Sequence, residues 1–113
     1  MNKIVTICGS MKYKNIMLEK ALELQLKNKY VVLQPVYGLD NYSYSDLDKK
    51  VLSELHFNRI NISDAIYVVN VDGYIGESTR KEIEYAKKLG KEVIYLEDLI
   101  ILIFLCYNFI RMW

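Results

Sequence analysis

The chain has 113 residues, a formal charge of +1 from 15 basic and 14 acidic side chains, and a 52% hydrophobic content. That length suits one domain with a real core, and the charge balance excludes a bulk field able to gather nucleic acid or coat a membrane surface. Cys8 and Cys106 lie far apart and form no ligand spacing, so no metal and no cofactor are expected. Both read as reduced, buried thiols of a cytoplasmic protein. The opening "MNKIVTICGS" is charged and then at once strand-like, unlike a signal peptide.

In chain order, "KIVTICGS" (3–10) is apolar and β-branched and stops at a Gly-Ser break, which predicts a buried strand. Residues 15–29 carry Ile16, Met17, Ala21 and Leu24 at helical spacing. "YVVLQPV" (30–36) predicts a second strand, and 37–46 is a polar, tyrosine-rich loop. In 46–60, Leu47, Val51 and Leu55 recur every four residues and predict a second helix. "AIYVVNV" (65–71) is a third strand. A glycine-bearing loop then leads to a helix over 79–90, closed by Gly90, and to a fourth strand at 91–97. Strands alternating with helices predict a doubly wound, flavodoxin-like or Rossmann-like α/β fold, with a parallel sheet of four to five strands and helices on both faces. This domain spans 1–98. The remainder, 99–113, opens with "LIILIFLCYNFI", which is too short to cross a membrane. It can serve as an added strand, a packed helix or a contact between subunits.

Open parallel sheets bind ligands beyond the carboxyl ends of their strands. Three stretches arrive there. After the first strand, the turn Gly9–Ser10–Met11, with Tyr13, Lys12 and Lys14 close behind, offers helix amides to an anion, although an ordinary βα turn reads the same way. The second stretch is the tyrosine loop, whose Tyr37, Tyr42 and Tyr44 join Tyr13 and Tyr74 as candidates to stack on a base. The third is "NVDGYIGEST", where Gly76, Ser78 and Thr79 approach a helix start. Asp72 there is either a turn residue or a contact to the ligand.

Glu82 is the odd residue of this region. With Thr79 at the helix start, it falls inside the apolar stripe, roughly 20° from Leu89 and about 40° from Ala86. Thr79-Arg80-Lys81-Glu82 fits a capping box, in which the glutamate folds back to the helix start. The alternative is a carboxylate turned toward a pocket, kept ionised by the helix N-terminus.

The loop followed by "EIEYAKKLGKEV" resembles the nucleoside 2-deoxyribosyltransferase superfamily, which includes the 2′-deoxynucleoside 5′-phosphate N-hydrolases. The resemblance covers 3–97 and is carried by Glu82, Tyr85, Ala86, Gly90 and Lys91, with Cys8–Gly9–Ser10 similar to the hydrolases' phosphate-contacting turn. It implies that Glu82 is a nucleophile attacking the anomeric carbon of a nucleoside or its 5′-monophosphate. Relatives carry an aspartate eight residues before the one that opens the third strand. Asp64 matches the latter, and His56 occupies the earlier position, either as a general acid or as a partly exposed surface residue. The resemblance also implies a homodimer, which the apolar run 99–110 would serve. A nucleotide-binding module without catalysis is the alternative function. The partners expected are therefore a nucleoside or nucleotide and a second copy, with neither nucleic acid nor membrane.

Overall fold

The computed structural model describes residues 1–98. The expectations for 99–113, including the dimer contact and Cys106, lie outside the described residues.

Four strands form one parallel sheet: β1 (Ile4–Gly9), β2 (Val31–Leu33), β3 (Ala65–Val69) and β4 (Glu92–Tyr95), in the order β2-β1-β3-β4. Val5 aligns with Val32 on one side and Ala65 on the other, and Ala65 in turn with Glu92. Every residue of β3 is buried, as its unbroken apolar run requires of a strand covered on both faces. Helix α1 (Lys14–Asn28) covers one face with Met17, Ala21 and Leu24, which meet Val5, Ile7, Tyr67 and Val69. Helices α2 (Asp46–Ile62) and α3 (Glu77–Lys88) cover the other, where Ile60, Ile83 and Ala86 join Cys8, Ile66 and Val68. This is the α/β arrangement expected, consistent with a flavodoxin-like fold.

The boundaries differ in three instructive places. The second strand is only three residues long: it is an edge strand, and the run ends before Pro35, which has no N–H for a ladder. The capping box belongs to α2. There the Ser45 hydroxyl accepts from the Asp48 N–H and the Asp48 carboxylate accepts from the Ser45 N–H, each at 3.0 Å. Helix α3 begins two residues earlier than predicted, with Gly76 at its N-cap and no side-chain cap. Thr79 is consequently inside the helix and Glu82 lies well beyond the first turn, so the Thr79–Glu82 box does not form. Its C-terminal end is as expected. Gly90, at φ +72°, places the Lys91 N–H on Ala86 O and its own N–H on Lys87 O.

The second helix is turned relative to its apolar repeat. Leu47, Val51 and Leu55 are 70%, 46% and 47% exposed, whereas His56 and Ile60 are buried against the sheet. Both sets have the same four-residue spacing, and polar contacts select the second. Just past the helix, the Ser63 hydroxyl bonds Thr6 of β1 at 2.6 Å, and His56 meets Cys8 of the same strand.

Asn70, fully buried at the end of β3, holds the far end of the domain. Its side-chain amide donates to Glu97 O at 2.9 Å and accepts from Glu97 N–H at 2.8 Å, while the Glu97 carboxylate accepts from Gly73 N–H at 2.9 Å. Asn70→Ala leaves the part-buried N–H and C=O of Glu97 without their partner and should cost about 1–3 kcal/mol. Urea denaturation measures this, and a loss below about 0.5 kcal/mol would mean the pairing carries no weight.

Candidate active site

A pocket of about 430 Å³ opens at the carboxyl ends of β1 and β3. Gly9, Ser10, Met11, His56, Gly76, Ser78, Thr79 and Glu82, all singled out in the sequence, line it. Tyr13, Tyr37, Tyr42, Tyr44 and Asp72 do not. Tyr13 instead packs edge-on against Tyr74, with ring centroids 6.3 Å apart, and Tyr74 does line the pocket. Asp72 is exposed in a short 3-10 turn at φ 55°, a left-handed conformation that aspartate tolerates, so the turn alternative describes it. Asp64 is remote from the pocket, at the opposite end of the strands, where its carboxylate accepts the Ile4 N–H at 2.8 Å.

The wall forms from each local sequence in a different way. Gly9 suits tight internal packing: a Cβ there would meet Met17 Sδ, Val69 Cβ and Val69 O at 3.3 Å each, so those neighbours would have to shift by a few tenths of an ångström. The strand can thus end flush against α1 and release Ser10 and Met11 to the rim. Ser10 caps the following 3-10 turn, its hydroxyl accepting from Lys12 N–H at 3.4 Å. Lys12 is not a free cation over the mouth, because its ammonium sits 3.6 Å from the centroid of the Tyr74 ring. The cation that lines the pocket is Arg59, one turn after His56. Sequence reasoning passed over it because an arginine on an exposed-looking helix carries no special signal. Its three-residue spacing from His56 is the one clue. Pro35, Val36, Leu52 and Ser53 complete the opposite wall.

Glu82 lies at the floor, its side chain 14% exposed, beside a His56 side chain that is 8% exposed. His56 Nε2 is 3.7 Å from Glu82 Oε1 and 3.6 Å from Cys8 Sγ, and Arg59 approaches His56 Nδ1 at 3.4 Å. A guanidinium only donates, so Nδ1 is the acceptor and the ring's proton belongs on Nε2, facing Cys8 and Glu82. Burial, seconded by the charge of Arg59, lowers the His56 pKa to about 4, against a slight opposing pull from the Ile7 main chain. Burial likewise lifts Glu82 to about 7, with the Cys8 thiol pulling it back. Cys8, entirely enclosed, is pushed well above the usual thiol range by burial and by Glu82.

These values revise two expectations. The glutamate is not held ionised by the helix N-terminus: it stands beyond the first turn, where that effect has faded, and desolvation dominates. His56 is neither partly exposed nor charged at neutral pH, so it has no spare proton for a leaving base.

Cys8, His56 and Glu82 each offer one donor atom, all within 4.8 Å of one another, and this mix of sulfur, nitrogen and oxygen suits zinc. The Arg59 contact opposes that use. A ligating imidazole presents one bare nitrogen and donates from the other, whereas here the nitrogen facing the cluster carries the proton. The cluster reads better as an enclosed polar group in which His56 bonds Cys8 and Arg59 and stands 3.7 Å from the Glu82 carboxylate.

The fold and pocket together define an α/β domain with a parallel sheet and a largely enclosed glutamate, its pKa raised by desolvation, at the strands' carboxyl ends. Comparison with protein-family profiles and with curated proteins returns no match.

Proposed function

We propose that the protein cleaves the N-glycosidic bond of a nucleoside or nucleoside 5′-monophosphate, with Glu82 as the nucleophile. The observation that carries this reading is the Glu82 carboxylate, only 14% exposed and set beside His56, in the lining of a pocket large enough for a nucleotide, whose other carboxylate, Glu77, is exposed. Departure of the base leaves positive charge on the sugar, and an ionised Glu82 stabilises that charge or bonds to the anomeric carbon. The low local dielectric that raises its pKa also strengthens this attraction. Water then releases the sugar in hydrolysis, or a second base accepts it in transfer. His56 serves here as a structural neighbour of the nucleophile, and the leaving base takes its proton from elsewhere. The test is a panel of nucleosides and 5′-monophosphates incubated with the protein and followed by chromatography for free base.

The neutral, enclosed His56 favours one second reading: a nucleotide-binding module on the same fold without catalysis. Tight binding across the panel with no free base after prolonged incubation would select it.

Phosphate recognition belongs to both readings. Helix α2 has its first amides capped by Ser45, but α3 starts at Gly76 with no side-chain cap, and Gly76 to Thr79 line the pocket. Those amides, with Arg59 across the pocket, form a place for an anion. A 5′-monophosphate should therefore bind about 10- to 100-fold more tightly than its nucleoside, the range expected from hydrogen bonds to a charged group. Isothermal calorimetry gives the ratio directly. Equal affinity would restrict the substrate to nucleosides.

A further inference from the structure

We propose that the substrate is a pyrophosphate-linked dinucleotide whose scissile base is a pyridinium, with its second nucleoside in a cavity next to the Glu82 pocket. This rests on the reading of Glu82 as the nucleophile and adds the length of the substrate and its leaving group.

The length follows from a second cavity of about 400 Å³, which shares Met11, Val36 and Leu52 with the first. The two are continuous, and each alone has the size of a small-molecule site. Lys49, Leu52, His56 and Arg59 succeed one another at spacings of three or four along α2, so one face of that helix borders both cavities. From Lys49 to Arg59 this face runs about 15 Å. Lys14 and Lys49 line the second cavity against one carboxylate, Asp40, and neither lysine forms an ion pair among the described residues. Tyr37 and Tyr44 line it too, and both are held in place. The Tyr37 hydroxyl donates to Gln34 Oε1 at 3.0 Å, and the Tyr44 hydroxyl accepts the Leu39 N–H at 2.9 Å. Fixed aromatic rings beside unpaired ammonium groups suit a base and the phosphate that leads to it. The proximal phosphate keeps the place between Arg59 and the α3 amides.

The leaving group follows from the first cavity. Of the described residues that line it, His56 is enclosed and uncharged at neutral pH, and Glu77 pairs with Lys81 at 3.6 Å. Apart from Glu82, the other polar side chains are hydroxyls and one guanidinium, types that are poor acids at neutral pH. A purine or pyrimidine needs a proton to depart as a neutral molecule. A pyridinium needs none, because the electron pair of the broken C–N bond neutralises its own positive nitrogen. As that bond breaks, the Glu82 carboxylate bonds to the anomeric carbon. Water then adds its oxygen to that carbon, the ester bond returns its electrons to the carboxylate, and one proton passes to solvent.

The test uses nicotinamide adenine dinucleotide and nicotinamide mononucleotide, which share the pyridinium bond, and adenosine monophosphate, which lacks it. Free base is followed by chromatography with the full chain, and each rate is divided by that of the spontaneous reaction. The dinucleotide should be cleaved with a kcat/KM about 10-fold or more above that of nicotinamide mononucleotide. Acceleration of nicotinamide mononucleotide should in turn exceed that of adenosine monophosphate by about 10-fold or more. Lys14→Glu with Lys49→Glu should erase the first difference and leave cleavage of nicotinamide mononucleotide unchanged. Near-ultraviolet circular dichroism checks the fold of the double variant, and Lys49→Glu alone replaces it if it is unfolded. Equal cleavage of dinucleotide and mononucleotide, or a preference that survives charge reversal, overturns the second subsite. Equal acceleration of the two mononucleotides overturns the pyridinium assignment. Either result leaves Glu82 as the nucleophile of an N-glycosidic enzyme. If no base is released from any of the three, the enzymatic reading and the pyridinium assignment both fall, and calorimetry decides the subsite. Tighter binding of the dinucleotide that charge reversal removes sustains it, and equal binding of dinucleotide and mononucleotide rejects it.

Discussion

On the proposed function, Glu82→Gln is expected to abolish base release while the protein stays folded and still binds nucleotide. The amide keeps the size of the side chain but cannot attack carbon or balance charge on the sugar, so the expected loss in turnover is on the order of 10³-fold or more. In the wild type, turnover should rise with pH through about 7, where the buried carboxyl ionises. Chromatography of free base across pH checks both statements. Turnover of Glu82→Gln within a few-fold of wild type would remove Glu82 from the mechanism. A rate that is flat from pH 5 to 9 would mean that ionisation of this group does not control it.

The same substitution should make the protein more stable in mild alkali. Glu82 has a folded pKa near 7 against an ordinary value of 4.5. Its raised value favours the fold below about pH 4.5, and that advantage is lost as pH rises through about 7. His56 runs the other way. Its folded value near 4 lies below an ordinary 6.5, so its contribution is present above about pH 6.5 and lost as pH falls through about 4. Each group accounts for roughly 3 kcal/mol between its limits. In the wild type the two slopes oppose one another across pH 4–7 and largely cancel. Removing the carboxyl leaves only the histidine's slope. Glu82→Gln should therefore exceed wild type by about 2–3 kcal/mol at pH 8, roughly 10 °C or more in Tm, and by little at pH 4.5. Thermal denaturation at pH 4.5, 6 and 8 tests this. A Tm difference that is constant across the three would show that Glu82 is not a desolvated carboxyl group.

The parallel sheet was legible in the sequence because β1 and β3 are continuous β-branched runs, a pattern that few other environments demand. Glu82 was legible because a charge in an apolar stripe contradicts its surroundings. The rest depended on facts that periodicity does not encode. The outward turn of Leu47, Val51 and Leu55 follows from polar partners on β1, Cys8 and Thr6, which a single-helix reading cannot see. The early start of α3 follows from Gly76 accepting Arg80 N–H at 2.9 Å, with a serine and a threonine accommodated inside the first turn instead of at the cap. His56 was misjudged for a related reason. Sequence supplies the residue type, but its charge is set by burial and by an arginine one turn away.

The paired amide of Asn70 has a mechanical consequence. It fastens Glu97, the next-to-last described residue, to the end of β3, and the Glu97 carboxylate reaches across to the turn that precedes Tyr74 and Gly76. Glu97 is thereby tied both to the end of β3 and to the loop that carries Tyr74 and Gly76 into the pocket wall. Loosening this clamp would therefore act at once on the end of β3 and on the turn before Tyr74.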